Sequence, residues 1–138
     1  MLRRLKEKEE KISEVLSALT EESAKGTIIL VEGRKDVEAL RALDVEGPIV
    51  TVKTGGKSFL DVISELEAKT SKVILFLDFD RRGKQGTNRL RKDLQRAGIK
   101  VDLEFWLDLL KSVGKDVQCV EGLSAYLENL RIKTQASP

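Results

Sequence analysis

The chain has no histidine and only one cysteine, Cys119, among its 138 residues. A lone thiol cannot form an internal disulfide, and without histidine neither a zinc site nor a Cys–His nucleophile is expected. No apolar run approaches the roughly 18 residues that a membrane-spanning helix needs. The first residues, 1–6, also lack the apolar core of a signal peptide. These absences predict a cytoplasmic protein with no membrane partner.

Prolines and aromatic residues are scarce as well, with two prolines and 4% aromatics, whereas hydrophobic residues make up 41%. A chain of this length and composition can bury a core of its own, so we expect a single globular domain over residues 1–138. The formal net charge is only +2, although 35% of the residues are charged. The composition leaves the oligomeric state open, with a monomer as one option.

The longest apolar run, Val73 to Leu77, leads directly into two carboxylates, Asp78 and Asp80. An apolar run without polar alternation is typical of a parallel strand that is covered on both faces. Because side chains alternate along a strand, both aspartates should point to one side and Phe79 to the other. Two like charges in register repel each other, which favours a bound cation between them over a simple acidic turn.

A second acidic strand end lies at Glu32, which follows the apolar segment 27–31 and precedes Gly33. Ligands of open α/β sheets bind beyond the carboxyl ends of the strands. If the two acidic strands are neighbours, Glu32, Asp78 and Asp80 converge there. Carboxylate oxygens without histidine or cysteine suit Mg²⁺, with Mn²⁺ as an alternative.

The segments 31–40 (VEGRKDVEAL) and 78–84 (DFDRRGK) together resemble a Toprim domain, the module shared by topoisomerases, bacterial primases and several nucleases. The resemblance covers about residues 25–105. It implies a Rossmann-like fold and Mg²⁺ bound at a phosphodiester by Glu32, Asp78 and Asp80. Topoisomerases usually have a further acid two residues after the second aspartate. Here that position is Arg82, so the chain resembles the primase and nuclease versions more closely.

The remaining patterns predict an α/β domain with about four parallel strands in the order 2-1-3-4 and helices on both faces. Further strands are expected at 49–52 and, as a half-exposed edge strand, at 99–105; core helices are expected at 34–43, 58–69 and 81–97. An amphipathic helix over 2–24 should dock on the sheet rather than form a coiled coil, because its heptad seam is interrupted. A C-terminal helical extension should span 106–132, with 117–120 ambiguous between loop and strand and a disordered tail from Lys133.

The stretch 81–100 is strongly basic, with eight cations against the single anion Asp93. On a helix, Arg82, Gln85, Arg89, Lys92 and Arg96 form one ridge, which is either a solvated face or a track for a polyanionic backbone. The ridge itself contains no aromatic residue, so base stacking on it is not expected. The full set of candidate nucleic-acid-binding residues is Arg34, Lys35, Lys57, Arg82, Lys84, Arg89, Lys92 and Arg96.

These observations favour a Mg²⁺-binding protein that acts on or binds RNA or DNA phosphodiesters, such as a small metal-dependent nuclease. In that case Glu32 could be a metal ligand or a general base. The alternative is a non-catalytic adaptor that uses the same acids and basic helix to bind nucleic acid or a ribonucleoprotein. A third option, a nucleotide-binding or phosphoacceptor domain of flavodoxin-like topology, leaves Glu32 unexplained.

Overall fold

The computed structural model describes residues 2–53 and 58–135. In chain order the elements are α1 (Leu2–Ala24), β1 (Ile28–Val31), α2 (Arg34–Ala42), β2 (Ile49–Thr51), α3 (Phe59–Glu67), β3 (Lys72–Leu75), α4 (Arg81–Arg96), β4 (Lys100–Asp102), α5 (Glu104–Val113), a 3-10 helix (Val120–Gly122) and α6 (Leu123–Gln135). Strands and helices alternate through the middle of the chain, which is the pattern of parallel α/β folds.

The four strands form one parallel sheet in the order β2-β1-β3-β4, which confirms the predicted order. In the centre, Leu30 of β1 pairs with Val50 of β2 on one side and with Leu75 of β3 on the other. The two strands that precede Glu32 and Asp78 are therefore direct neighbours. Their carboxyl ends lie at the same edge of the sheet.

Alternate side chains of the strands enter two separate hydrophobic cores, one on each face of the sheet. Ile29 and Val31 of β1 pack in the larger core with residues of α1, α2, α5 and α6. Leu30 packs in the smaller core with residues of α3 and α4. Helices therefore cover both faces, as predicted, and the uninterrupted apolar runs follow from this double burial.

Several predicted boundaries were wrong at the carboxyl ends of the strands. β2 ends at Thr51 rather than at residue 52, and β3 spans Lys72–Leu75 rather than 73–77. Phe76 and Leu77 are fully or almost fully buried but lie outside the strand. Pairing with β1 ends at the hydrogen bond from Phe76 N to Leu30 O, and residues of the C-terminal extension then supply the partners.

The C-terminal part also differs in detail from the sequence prediction. β4 is an edge strand, as expected, but it is confined to Lys100–Asp102, and Glu104 and Phe105 already belong to α5. The prediction of a disordered tail from Lys133 was wrong for 133–135, which continue α6. Residues 136–138 lie outside the described part of the chain. Within that part, none of the helices combines the length and apolar character needed to cross a membrane.

Helix α1 docks on the domain, but it packs mainly against α5 and α6 rather than directly on the sheet as predicted, and it buries Ile12 and Leu19 completely. At its exposed side Lys8 Nζ donates a hydrogen bond to Asp116 Oδ2 at 2.7 Å. The Tyr126 hydroxyl donates to the same carboxylate oxygen at 2.8 Å. This cluster links α1 to the segment after α5 and to α6.

The cluster makes a small, pH-dependent contribution to stability. The Lys8 ammonium, followed by the Tyr126 hydroxyl, lowers the pKa of Asp116 by hydrogen bonding, and Asp116 in turn raises the pKa of Lys8. A lowered carboxyl pKa stabilises the fold above the ordinary aspartate value of about 3.9. Because both side chains are partly exposed, we expect Asp116→Asn to cost less than about 1 kcal/mol at pH 7. Urea unfolding should show the difference shrinking as the pH falls through the native pKa of Asp116; a constant difference would contradict this.

Candidate metal and nucleic-acid site

The three predicted acids lie at the carboxyl edge of the sheet, each half-buried. Glu32 directly follows β1, and Asp78 and Asp80 follow the buried segment that continues β3. Lys53 N donates to Glu32 O at 3.1 Å, which extends the pairing between β1 and β2 to this edge. The topology therefore brings Glu32 to the same edge as the two aspartates.

The segment that carries the aspartates is held by the C-terminal extension. Trp106 Nε1 donates to Leu77 O at 2.8 Å, and Phe79 N donates to Gln118 O at 2.8 Å. The Phe79 ring is buried and stacks against Trp106 with centroids 6.2 Å apart. Finally, Val120 N donates to Asp78 Oδ1 at 3.0 Å. The extension thus fixes the main chain on both sides of Asp78 as well as the carboxylate itself.

Asp80 is the N-cap of α4, because its Oδ1 accepts a hydrogen bond from Gly83 N at 2.7 Å. Aspartate is among the best N-cap residues, and its charge interacts favourably with the start of the helix. Both aspartates therefore use Oδ1 in these contacts with main-chain N–H groups. That leaves Oδ2 of each outside the two hydrogen bonds.

Glu32 forms an ion pair with Lys53, with Nζ 2.8 Å from Oε1. The side chains are 26% and 44% exposed respectively, so solvent screens this pair and it contributes little to stability. Within the described part of the chain, Lys53 is the one cation in an ion pair with Glu32, Asp78 or Asp80. The three acids therefore carry more negative charge than this one ion-pair partner neutralises.

Burial, together with the neighbouring negative charges, raises the pKa of two carboxyl groups at this edge. Burial raises the pKa of Asp78, and the charges of Asp36, Glu32 and Asp80 raise it further, against the opposing hydrogen bond from Val120. Burial likewise raises the pKa of Asp36, with additional contributions from Glu32 and Glu121. The ionised carboxylates thus destabilise one another, and a cation placed among them would relieve that cost.

Two groups of functional residues were missed at the sequence level. Asp36 is buried and its Oδ2 accepts from Gly33 N at 3.0 Å, so it shapes the turn after Glu32 and adds charge to the edge. Its position three residues after Gly33 is a helix-start signal that could have identified it. Lys53 could have been found from the strand register. The hydrogen bonds from Val120 N to the Asp78 carboxylate and from the Trp106 side chain to Leu77 O leave no comparable pattern in the sequence.

The sequence profile of the Toprim domain matches residues 26–103, which is more than half of the chain and includes both acidic strand ends. The chain belongs to the Toprim domain family. The match begins just before β1 and ends just after β4, so α1, α5 and α6 lie outside it. The Toprim fold supports a metal-binding function related to nucleic acids, and Toprim domains typically bind Mg²⁺.

The chain is similar to archaeal proteins and to a bacterial protein of solved structure. A UPF0292 protein of Methanosarcina barkeri is 34% identical over 91% of this chain and 86% of its own length. A UPF0292 protein of Archaeoglobus fulgidus is 36% identical over 85% of this chain and 90% of its own length. The solved structure of a protein from Aquifex aeolicus has 31% identity and a TM-score of 0.67, and covers 79% of this chain and 94% of the other.

The candidate ligands Glu32, Asp78 and Asp80 are not preorganised as a metal site. Within residues 2–53 and 58–135, no three acidic or cysteine side chains are arranged as a set that could hold a metal ion. Glu32 is engaged with Lys53, and each aspartate is held by a main-chain N–H. The donor set nevertheless fits a hard divalent cation, because it consists of carboxylate oxygens without histidine or cysteine.

The candidate basic residues lie in two groups. Arg34 and Lys35 are exposed in the first turn of α2, where Arg34 Nε lies 3.9 Å from Glu38 Oε1. They are either ordinary surface charges or contacts for phosphate. Five of the candidates are exposed on α4 and follow the acids in the chain, namely Arg82, Lys84, Arg89, Lys92 and Arg96. Lys57 lies outside the described residues.

The structure places an aromatic residue beside the ridge on α4. The ridge itself contains none, but Phe59 of α3 lies next to it, with the Arg89 guanidinium 5.9 Å from the ring centroid. The two residues are 30 positions apart, so the helical pattern of α4 could not reveal the contact. Phe59 also lines a cavity of about 190 Å³ together with Glu32, Lys53 and Arg82. The ridge and the acidic edge are therefore connected.

Proposed function

We propose that this Toprim protein is a small Mg²⁺-dependent phosphodiesterase that acts on the backbone of RNA or DNA. The observation that supports the proposal is that two neighbouring strands lead to acids at one edge of the sheet, with Arg82 in the same cavity as Glu32. Carboxylates that raise one another's cost of ionisation suit a cation, and an arginine beside them suits a phosphate. The direct ligands in this proposal are Glu32, Asp78 and Asp80.

Each residue around the proposed metal site would have a separate role. Val120 orients Asp78 and the start of α4 orients Asp80, so that Oδ2 of each can face the ion. Glu32 would break its ion pair with Lys53 and then either bind the metal or accept the proton of the attacking water. Lys53, released from that pair, would face a phosphate oxygen. Bound Mg²⁺ would polarise the phosphoryl oxygen and stabilise the leaving oxygen.

The pair between Glu32 and Lys53 favours a second candidate, the non-catalytic adaptor. It keeps Glu32 occupied, and an adaptor needs only the basic surface and electrostatic binding. Incubating the purified protein with labelled RNA and DNA in Mg²⁺ or Mn²⁺ separates the two. The phosphodiesterase predicts cleavage that is lost in Asp78→Asn and Asp80→Asn, whereas the adaptor predicts binding without cleavage. Cleavage that persists in both variants would point to a contaminating nuclease and contradict the proposal.

Two substitutions at Asp80 separate its structural role from metal binding. Asparagine can still cap α4, so without metal Asp80→Asn should stay within about 1 kcal/mol of the parent, helped by the loss of repulsion from Asp78. Asp80→Ala should lose about 1 kcal/mol with the cap. In thermal melts, 10 mM Mg²⁺ should stabilise only the parent, by about 1.4 kcal/mol if the Kd is about 1 mM.

These melts contradict the assignment of Asp80 as a ligand if Mg²⁺ stabilises Asp80→Asn as much as the parent. The control is Asp93→Asn on the same helix, which removes one carboxylate away from the acidic edge. Asp93 lies near the other end of α4, where its Oδ1 is 3.6 Å from Arg96 Nη1. Asp93→Asn should therefore keep the full response to Mg²⁺.

A further inference from the structure

A groove between α3 and α4 runs beside the basic ridge. Its volume is about 550 Å³, which is within the range of sites for small ligands and single nucleotides. One wall is formed by the first residues of α3, with Leu60 71% exposed at the rim. The other wall is formed by Arg89, Lys92 and Arg96 of α4. The groove thus combines an apolar wall with a cationic one.

The groove is continuous with the acidic edge through Phe59. This half-buried side chain lines both the groove and the smaller cavity that contains Glu32, Lys53 and Arg82. A linear ligand lying in the groove would therefore pass Phe59 and arrive at Arg82 and Glu32. Phe59 therefore lies between the proposed metal site and the groove.

The charges of the groove favour a polyanion. Among the described residues, Asp93 is the one acidic side chain that lines it, and Asp93 Oδ1 is already 3.6 Å from Arg96 Nη1. The Arg89 guanidinium lies over the Phe59 ring, 5.9 Å from its centroid, so the ring and the guanidinium together offer a platform of two flat groups. Nucleic-acid bases stack on aromatic rings and on guanidinium planes, while lysine and arginine side chains hold the phosphates.

We propose that this groove binds an unpaired stretch of nucleic acid that leads into the acidic edge, with a base on the platform of Phe59 and Arg89 and phosphates at Lys92 and Arg96. A paired base is stacked on its neighbours in a duplex and offers no free face to Phe59, so the groove selects single strands. The inference rests on the proposed function, because it specifies the substrate of the same site.

Binding of fluorescent oligonucleotides without divalent metal, followed by anisotropy, tests the groove. Phe59→Leu removes the ring but keeps an apolar side chain, so single-strand affinity should fall at least about fivefold, the equivalent of one lost base stack. Phe59→Tyr should restore it. Duplex binding and the salt dependence of both ligands should not change, because the phosphate contacts remain. Ile132→Ala, at an exposed position of α6, is the control and should behave like the parent.

A second measurement needs no variant and covers the case in which Phe59→Leu does not fold. The parent should bind an oligomer with abasic sites at least about fivefold more weakly than the matched single strand. Equal affinity for the two, equal affinity for single strand and duplex, or an unchanged affinity of folded Phe59→Leu would overturn the inference. If the parent still cleaves labelled nucleic acid in that case and Asp80→Asn does not, the proposed function stands. A parent that binds no nucleic acid would overturn both.

Discussion

Simultaneous charge reversal of Arg89, Lys92 and Arg96 should lower the affinity for nucleic acid by at least about a hundredfold at low salt. Each phosphate contact releases counterions and contributes roughly 0.7 to 0.9 to the slope of log affinity against log salt. Three lost contacts should therefore reduce that slope by about 2 to 3 units. Titrations of one labelled oligonucleotide at several salt concentrations measure both quantities.

The variant should keep the fold, because all three residues are exposed and lie off the buried stripe of α4, which includes Leu90 and Leu94. The pair between Arg96 and Asp93 is largely exposed on the arginine side and contributes little to stability.

A matched variant separates local contact from net charge. Reversal of Arg4, Lys6 and Lys11, which are exposed on α1, changes the net charge by the same amount on the other side of the sheet. It should lower the affinity only slightly and leave the slope almost unchanged. Equal losses in the two triple variants would mean that only the overall charge matters and that the ridge on α4 is a solvated face.

The sheet could be predicted from the sequence because each of its central strands is buried on both faces. Double burial requires unbroken apolar segments such as 28–31 and 73–77, and these are visible without any tertiary information. The acids at the ends of the two segments then fix which strands must be neighbours, and the observed order β2-β1-β3-β4 follows. The predicted strand ends were less accurate than the strand order, because the groups that hydrogen-bond there belong to residues distant in sequence.

The surroundings of the acids could not be predicted in the same way. The contacts of Val120 to Asp78 and of Gln118 to Phe79 use main-chain groups, which every residue possesses and no residue type signals. The ion pair of Lys53 with Glu32 depends on where two strands end, and the contact of Phe59 with Arg89 joins two helices. Such long-range contacts decide whether Glu32 is free to bind a metal and whether the basic ridge offers a surface for a base.

A single methyl group at Gly83 should disturb the acidic edge more than any other alanine substitution in α4. Gly83 is buried, and a Cβ at this position would overlap the carbonyl group and main chain of Asp78. Main chain cannot rotate away as a side chain can, so either α4 or the segment from Asp78 to Asp80 must move. We expect Gly83→Ala to lower the free energy of unfolding by about 1 to 3 kcal/mol, the usual cost of overpacking, and to abolish stabilisation by Mg²⁺.

The same substitution one turn further along α4 provides the control. A Cβ at Gly86 would meet only Leu77 Cδ1, at 3.4 Å, which is an ordinary contact. Alanine is about 1 kcal/mol more favourable than glycine in a helix, so Gly86→Ala should stabilise the protein and keep its response to Mg²⁺. Because both variants gain helix propensity, the opposite signs expected in urea unfolding isolate the contact between Gly83 and Asp78. If both variants are stabilised and both respond to Mg²⁺, the start of α4 does not position Asp78.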